Sequence, residues 1–117
     1  QAHCRLIIVH LSDYQRESRA TARYPDLGNN LIYPTLGLAG EAGEVADKVK
    51  KLIRDRDGLV DHTFKQDLAL ELGDVLWYIA QLCTELGMTL DDVAEKNIEK
   101  LNSRSRRGTL HGDGDHR

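Results

Sequence analysis

Two pairs of acidic residues carry the strongest chemical signal. Glu41 and Glu44 stand at i, i+3, and so do Glu71 and Asp74. At about 100° per residue, each pair projects from one side of a helix. With Glu41 at the origin, Leu38, Ala42, Val45, Val49, Leu52 and Ile53 form an apolar face beside it, and Glu44 and Lys48 complete a stripe along its rim. With Glu71 at the origin, Leu68, Leu72, Val75, Ile79, Leu82, Cys83 and Leu86 form the apolar face, and Asp74 and Tyr78 take the rim. Antiparallel packing of the two faces would bring four carboxylates together. Two like charges about 4 Å apart repel by about 4 kcal/mol at an effective dielectric near 20. A cation must therefore compensate any such cluster. An all-oxygen set without His or Cys suits Mg²⁺ first and Mn²⁺ as a substitute, and a hydrated Mg²⁺ is suited to phosphate oxygens.

An isolated acidic pair is most often solvated surface. Matching phase on two helices argues against that here, and so does an oddity in composition. Gly37, Gly40 and Gly43 lie within the Glu41 segment, each costing about 1 kcal/mol relative to Ala in a helix interior. Small residues there permit close approach of another backbone or a bulky group. A third segment carries the opposite charge. Asn97, Lys100 and Arg104 share a stripe beside Leu90, Ala94 and Leu101, with Lys96, Arg106 and Arg107 nearby. The helix macrodipole favours cations at a C-terminus, but a basic rim facing an acidic one also suits a polyphosphate.

The elements that position these residues read as helices. Ser12 to Gln15 has the form of a capping box and predicts a short helix ending near Tyr24, because Pro25 pushes its predecessor out of the helical region. Asn30 is placed to cap a second helix, with Pro34 in its first turn, running to about Asp55 and stopping at Gly58. A third is expected over 62–86 with Gly87 as terminator, and a fourth from Thr89 to about Ser103. No alternating strand pattern falls in 12–104, so the expected class is all-α. Residues 1–11 read as an arm or extension, 12–104 as the domain, and 105–117 as an irregular Gly- and Arg-rich tail.

The chain has 117 residues and 40% hydrophobic content, which suits one globular domain. Its formal charge of −3 argues against a protein that coats nucleic acid. No apolar run approaches the roughly 18 residues of a membrane span. Cys4 and Cys83 form neither a metal-binding nor a disulfide pattern. A cytoplasmic protein of a reducing compartment is expected.

GLAGEAGEVADKVKK followed by ELGDVLWYIAQLCTELGMTLDDVAEKNIEKLNSR resembles the MazG-like nucleoside triphosphate pyrophosphohydrolases of the all-α NTP pyrophosphatase superfamily. Either acidic pair alone is unspecific; the ordered set with LGDVLWY and Asn97-x-x-Lys100 is specific. The resemblance covers about 12–117. It implies a four-helix domain whose core bundle is completed by dimerisation, with homodimers or homotetramers. It also implies Mg²⁺-dependent cleavage of an NTP or dNTP between the α and β phosphates, as in nucleotide-pool house-cleaning. Carried over by residue, Glu41, Glu44, Glu71 and Asp74 would hold metal, with Glu41 or Glu44 serving as base. Some relatives carry a further Glu where Gly40 stands here. Asn97 and Lys100 would contact phosphate or hold the metal-bound groups, while Lys48 on the acidic stripe and Arg104 on the basic one are further phosphate candidates from this chain's own pattern. Neither a nucleic acid polymer nor a membrane is implied.

Base selection is less legible. Tyr14, Gln15, Tyr24, Trp77 and Tyr78 are candidates for contacting a base, though such aromatics more often belong to a core or an interface. Two other readings fit the chain: a non-catalytic helical interaction module, and an activity like that of phosphoribosyl-ATP pyrophosphohydrolase.

Overall fold

The computed structural model describes residues 9–117. Among them are four helices and no strand: α1 (Leu11–Arg19), α2 (Ile32–Arg56), α3 (His62–Glu85) and α4 (Leu90–Arg107). None is long and apolar enough to cross a membrane. Most of the arm read from the sequence, residues 1–8, lies outside the described residues.

Local chemistry explains most boundaries. Asn30 Oδ1 accepts from the Ile32 and Tyr33 amides, at 3.1 and 3.0 Å, and Pro34 follows in the first turn of α2. Asp57 then takes a left-handed conformation and ends that helix one residue before the expected Gly58. Asp61 caps α3 by accepting from Phe64 N at 2.8 Å, and Thr89 caps α4 by accepting from Asp92 N at 3.0 Å. Gly87 has φ of +68° in the turn between α3 and α4, a region that glycine enters without steric cost.

Three expectations fail here. The capping box does not form: α1 begins at Leu11, after His10 and with no side-chain cap, so Ser12 sits inside the helix. That helix also ends at Arg19 rather than near Tyr24, closing in tight turns in which Ala20, Thr21 and Ala22 donate to the carbonyls three residues back. The fourth helix errs the other way and continues past Ser103 to Arg107, with Gly108 as its left-handed cap.

The short 57–61 connection makes α2 and α3 antiparallel neighbours, and theirs is the most extensive contact in the fold. The core lies elsewhere. Ala80, Cys83 and Leu90 are buried together, with Tyr14, Ile79, Met88 and Val93 packed against them where α1, α3 and α4 meet. On the predicted apolar faces Leu52 is buried, but Val49, Ile53, Leu72 and Leu86 are exposed. Leu36, Ile53 and Leu70 show 67, 65 and 72% of their surface. The phase of the faces follows from helical periodicity, but what covers each face depends on the partners present, and α2 has α3 as its main partner while α3 packs against both α2 and α1. On α3 the C-terminal part of the face, Ile79 and Cys83, is covered by α1 and α4, while Leu72 on α3 and Val49 and Ile53 on α2 stay exposed.

Candidate active site

The α2–α3 hairpin brings the acidic rims together as the helical phase requires. Glu41, Glu71 and Asp74 each offer a carboxylate oxygen, and these atoms lie within 4.8 Å of one another. Glu44, one turn along α2, is exposed and lies outside that trio. Its charge still acts on Glu41, whose carboxyl is pushed above its ordinary range by burial and by Asp74, Glu71 and Glu44. Lys48 reaches the cluster too, with Nζ 3.8 Å from Glu71. It also lines a cleft of about 250 Å³ with Lys51, Arg56, Phe64 and Asp67.

This donor set fits a divalent cation. It consists of hard oxygen atoms alone, and three carboxylates from two helices gather there a negative charge that a cation would offset.

Aromatic side chains wall one end of the cluster. Burial, followed by Tyr33, Glu41 and Asp74, pushes the Tyr78 hydroxyl up. Its ring lies against the α carbon of Gly37, where any Cβ would collide with it. Trp77 meets Tyr78 edge-on at 5.0 Å between centroids, and Tyr33 stacks on Tyr24 at the same separation. Tyr14 stands close enough to Asp74 for that charge, after burial, to raise its hydroxyl as well.

Several of the candidate base contacts are engaged within the chain. Gln15 donates to Thr84 Oγ1 and to the Met88 carbonyl and accepts from the Leu90 amide. The Trp77 indole donates to Thr21 Oγ1 at 2.9 Å and to the Ser18 carbonyl. Tyr24 is buried, and its hydroxyl donates to Glu85 while accepting from Arg19.

The cations of α4 form a separate group. Among the described residues, no ion pair or hydrogen bond joins Lys100 or Arg104 to Glu41, Glu71 or Asp74; both pair instead with Asp115. Asn97 and Lys100 line a shallow cleft of about 290 Å³ with Met88, Val93 and Lys96.

Sequence reasoning missed Gln81, Glu85 and Asp115. Gln81 is fully buried and donates to Ser18 Oγ, and the enclosed Glu85 carboxylate accepts from Arg19, Tyr24 and the Gly28 amide. A signal existed for two of them: Asp74, Tyr78, Gln81 and Glu85 fall at i, i+4, i+7 and i+11, one continuous polar stripe. That stripe is the seat of α1 and of the loop that follows it.

With this geometry in view, comparison with known proteins decides the family. Residues 33–109 match the MazG nucleotide pyrophosphohydrolase domain, which takes in both acidic pairs and all of α4. The chain belongs to the MazG nucleotide pyrophosphohydrolase family. As a MazG-family protein it is also similar to the Gene 37 protein of Mycobacterium phage L5. The two are 46% identical over 114 residues, which cover 93% of this chain and 100% of the phage protein. No solved structure matches the chain significantly. Membership supports a pyrophosphohydrolase acting on a nucleotide, in accord with the resemblance read from the acidic pairs.

Proposed function

We propose that this chain is a Mg²⁺-dependent nucleoside triphosphate pyrophosphohydrolase, cutting an NTP or dNTP into the nucleoside monophosphate and pyrophosphate. The observation that carries the reading is the convergence of Glu41, Glu71 and Asp74 oxygens from two adjacent helices in a chain of this family. Glu41, Glu71 and Asp74 would hold the ion, with Glu44 able to join from the next turn. The bound ion would neutralise the phosphate oxygens and the departing pyrophosphate.

The chain's own residues supply the rest. Water attacks the α-phosphorus in line, forming a new P–O bond as the bond to the bridging α–β oxygen breaks. Glu41 orients that water and takes its proton, with Glu44 the alternative base. Lys48, freed from Glu71, turns to the phosphates. Lys100 and Asn97 present a second set of phosphate contacts along α4.

The working unit would be a homo-oligomer, a dimer or a pair of dimers. Among the described residues, only Ala22, Tyr24, Leu52, Ala80, Cys83 and Leu90 are buried hydrophobics, while Leu36, Ile53, Leu70 and Leu72 lie exposed along α2 and α3. That balance is poor for a lone domain. A second copy, laying the same faces against these, would complete a four-helix bundle. Such an enzyme suits a role in clearing nucleotide pools in the cytoplasm.

The test is a panel of NTPs and dNTPs incubated with Mg²⁺ and resolved by chromatography. Monophosphate with pyrophosphate is the expected outcome. Orthophosphate with diphosphate, or no turnover of any nucleotide, overturns the reading.

A further inference from the structure

The segment after α4 folds back onto that helix in a defined way. Thr109 N donates to the Arg104 carbonyl at 2.8 Å, turning the chain at Gly108. The Arg117 guanidinium donates to the carbonyls of Thr109, Leu110 and Gly114, so residues 109–114 are wound around a single side chain. Arg107 fastens the loop from the helix side, donating to the Arg117 carbonyl at 2.9 Å and to Ser103 Oγ.

This winding sets Asp115 over the basic stripe. One oxygen of its carboxylate lies 3.1 Å from Lys100 Nζ and 3.4 Å from Arg104 Nη2. Arg104 is only 3% exposed, donates also to the Gly114 carbonyl, and has an enclosed Nε with no partner among the described residues. Asp115 itself is 76% exposed at its side chain. Lys100 opens to the cleft that Asn97 shares, so an incoming anion can reach its ammonium without unpacking the helix.

A single carboxylate on two cations is a weak anion in a strong anion's place. We propose that Asp115 is an internal competitor for polyphosphate: it occupies the position on Lys100 and Arg104 that a phosphate oxygen takes, and bound polyphosphate displaces it. This rests on the reading of the chain as acting on nucleoside triphosphates. The exchange is favourable because a phosphate group brings more charge and more acceptor oxygens than one carboxylate. Asp115 thereby sets the affinity of the α4 face for phosphate without touching the reacting atoms. Lys100 and Arg104 in turn hold its carboxyl below the ordinary carboxylate range, so it stays ionised and competes at every physiological pH.

The experiment uses the full chain and inorganic pyrophosphate without metal, followed by calorimetry. Asp115→Asn should bind pyrophosphate about two- to fivefold more tightly than the parent, the range expected for an exposed charge pair. Arg117→Ala, which unwinds the loop without altering the two cations, should move affinity the same way. With Lys100→Ala in both backgrounds, the difference between the parent and Asp115→Asn should shrink, because only Arg104 then remains for Asp115 to screen. Pyrophosphate should also speed hydrogen exchange at residues 109–117 in the parent. Equal or weaker binding by Asp115→Asn, or no pyrophosphate binding by the parent, overturns the proposal. The nucleotide panel fails independently: an inert protein whose pyrophosphate affinity still rises in Asp115→Asn keeps the competitor and loses the enzyme.

Discussion

The ring of Tyr78 occupies the space that a Cβ on residue 37 would need. Of the three glycines inside the Glu41 helix, only this one is required by a neighbour among the described residues. Gly40 and Gly43 face open space there. Gly37→Ala should therefore destabilise the protein by about 1–2 kcal/mol, because the overpacking cost of about 1–3 kcal/mol outweighs the helix propensity gained. Thermal melting would register this as a fall of several degrees. Pairing the change with Tyr78→Ala should recover part of the loss, since the double mutant no longer holds the ring. Strict additivity would show that the two residues do not press on each other.

Glu71 sits between Asp74, Glu41 and Lys48, so its charge bears on all three. Glu71→Gln keeps the shape and removes that charge. Turnover should drop to background while the helical circular dichroism spectrum is unchanged. Saturating Mg²⁺ should raise the melting temperature of the parent by several degrees, through binding to the folded state alone, and should do little for the variant. Equal Mg²⁺ stabilisation of both proteins would remove Glu71 from the metal site.

Leu36 on α2 and Leu70 on α3 are the most informative probes of assembly. In a monomer, Leu36→Glu and Leu70→Glu would each change stability by no more than about 0.5 kcal/mol, as other surface substitutions do. In the proposed bundle they place a charge against an apolar partner. Sedimentation should show the oligomer dissociating, with a lower melting temperature and lost turnover. Unaltered sedimentation and melting would leave the chain a monomer.

Asp47 gives the clearest acid dependence. Hydrogen bonds from Lys51 and Lys50 hold its carboxyl at about 2, below its ordinary value. A depressed native value means that the pairing stabilises above the unfolded value near 4 and is lost as pH falls through about 2. Melting in low salt from pH 5 to 2 should therefore show the parent more stable than Asp47→Asn at pH 5, with the gap closing toward pH 2. The gap should also shrink in high salt, because the group is exposed.

Much of this site is legible in the primary structure because helices are periodic. Counting residues places Glu41 on the same rim as Glu71 and Asp74, and the fold brings those three together. It leaves Glu44 exposed and outside the trio, although the same step of three keeps Asp74 with Glu71, so spacing alone does not say which member of a pair faces the neighbouring helix. Ser12 and Gln15 show where local patterns lose. Their spacing suits a capping box, but Thr84, Met88 and Leu90 offer the Gln15 amide a full set of partners from across the fold. Periodicity also says which side of α3 is apolar without saying what covers it, so Leu72, on the apolar face, lies exposed. Asp115 had no signal at all. It stands in a segment without a repeat, and only the winding around Arg117 aims it at α4.

The Gln15 amide has one further consequence. It joins the first helix, the last turn of the third and the opening amide of the fourth through a single uncharged group. The first helix cannot pivot without tugging the start of the fourth. Any tilt of α1 strains those three hydrogen bonds together, so the ends of the three helices hold or slip as one.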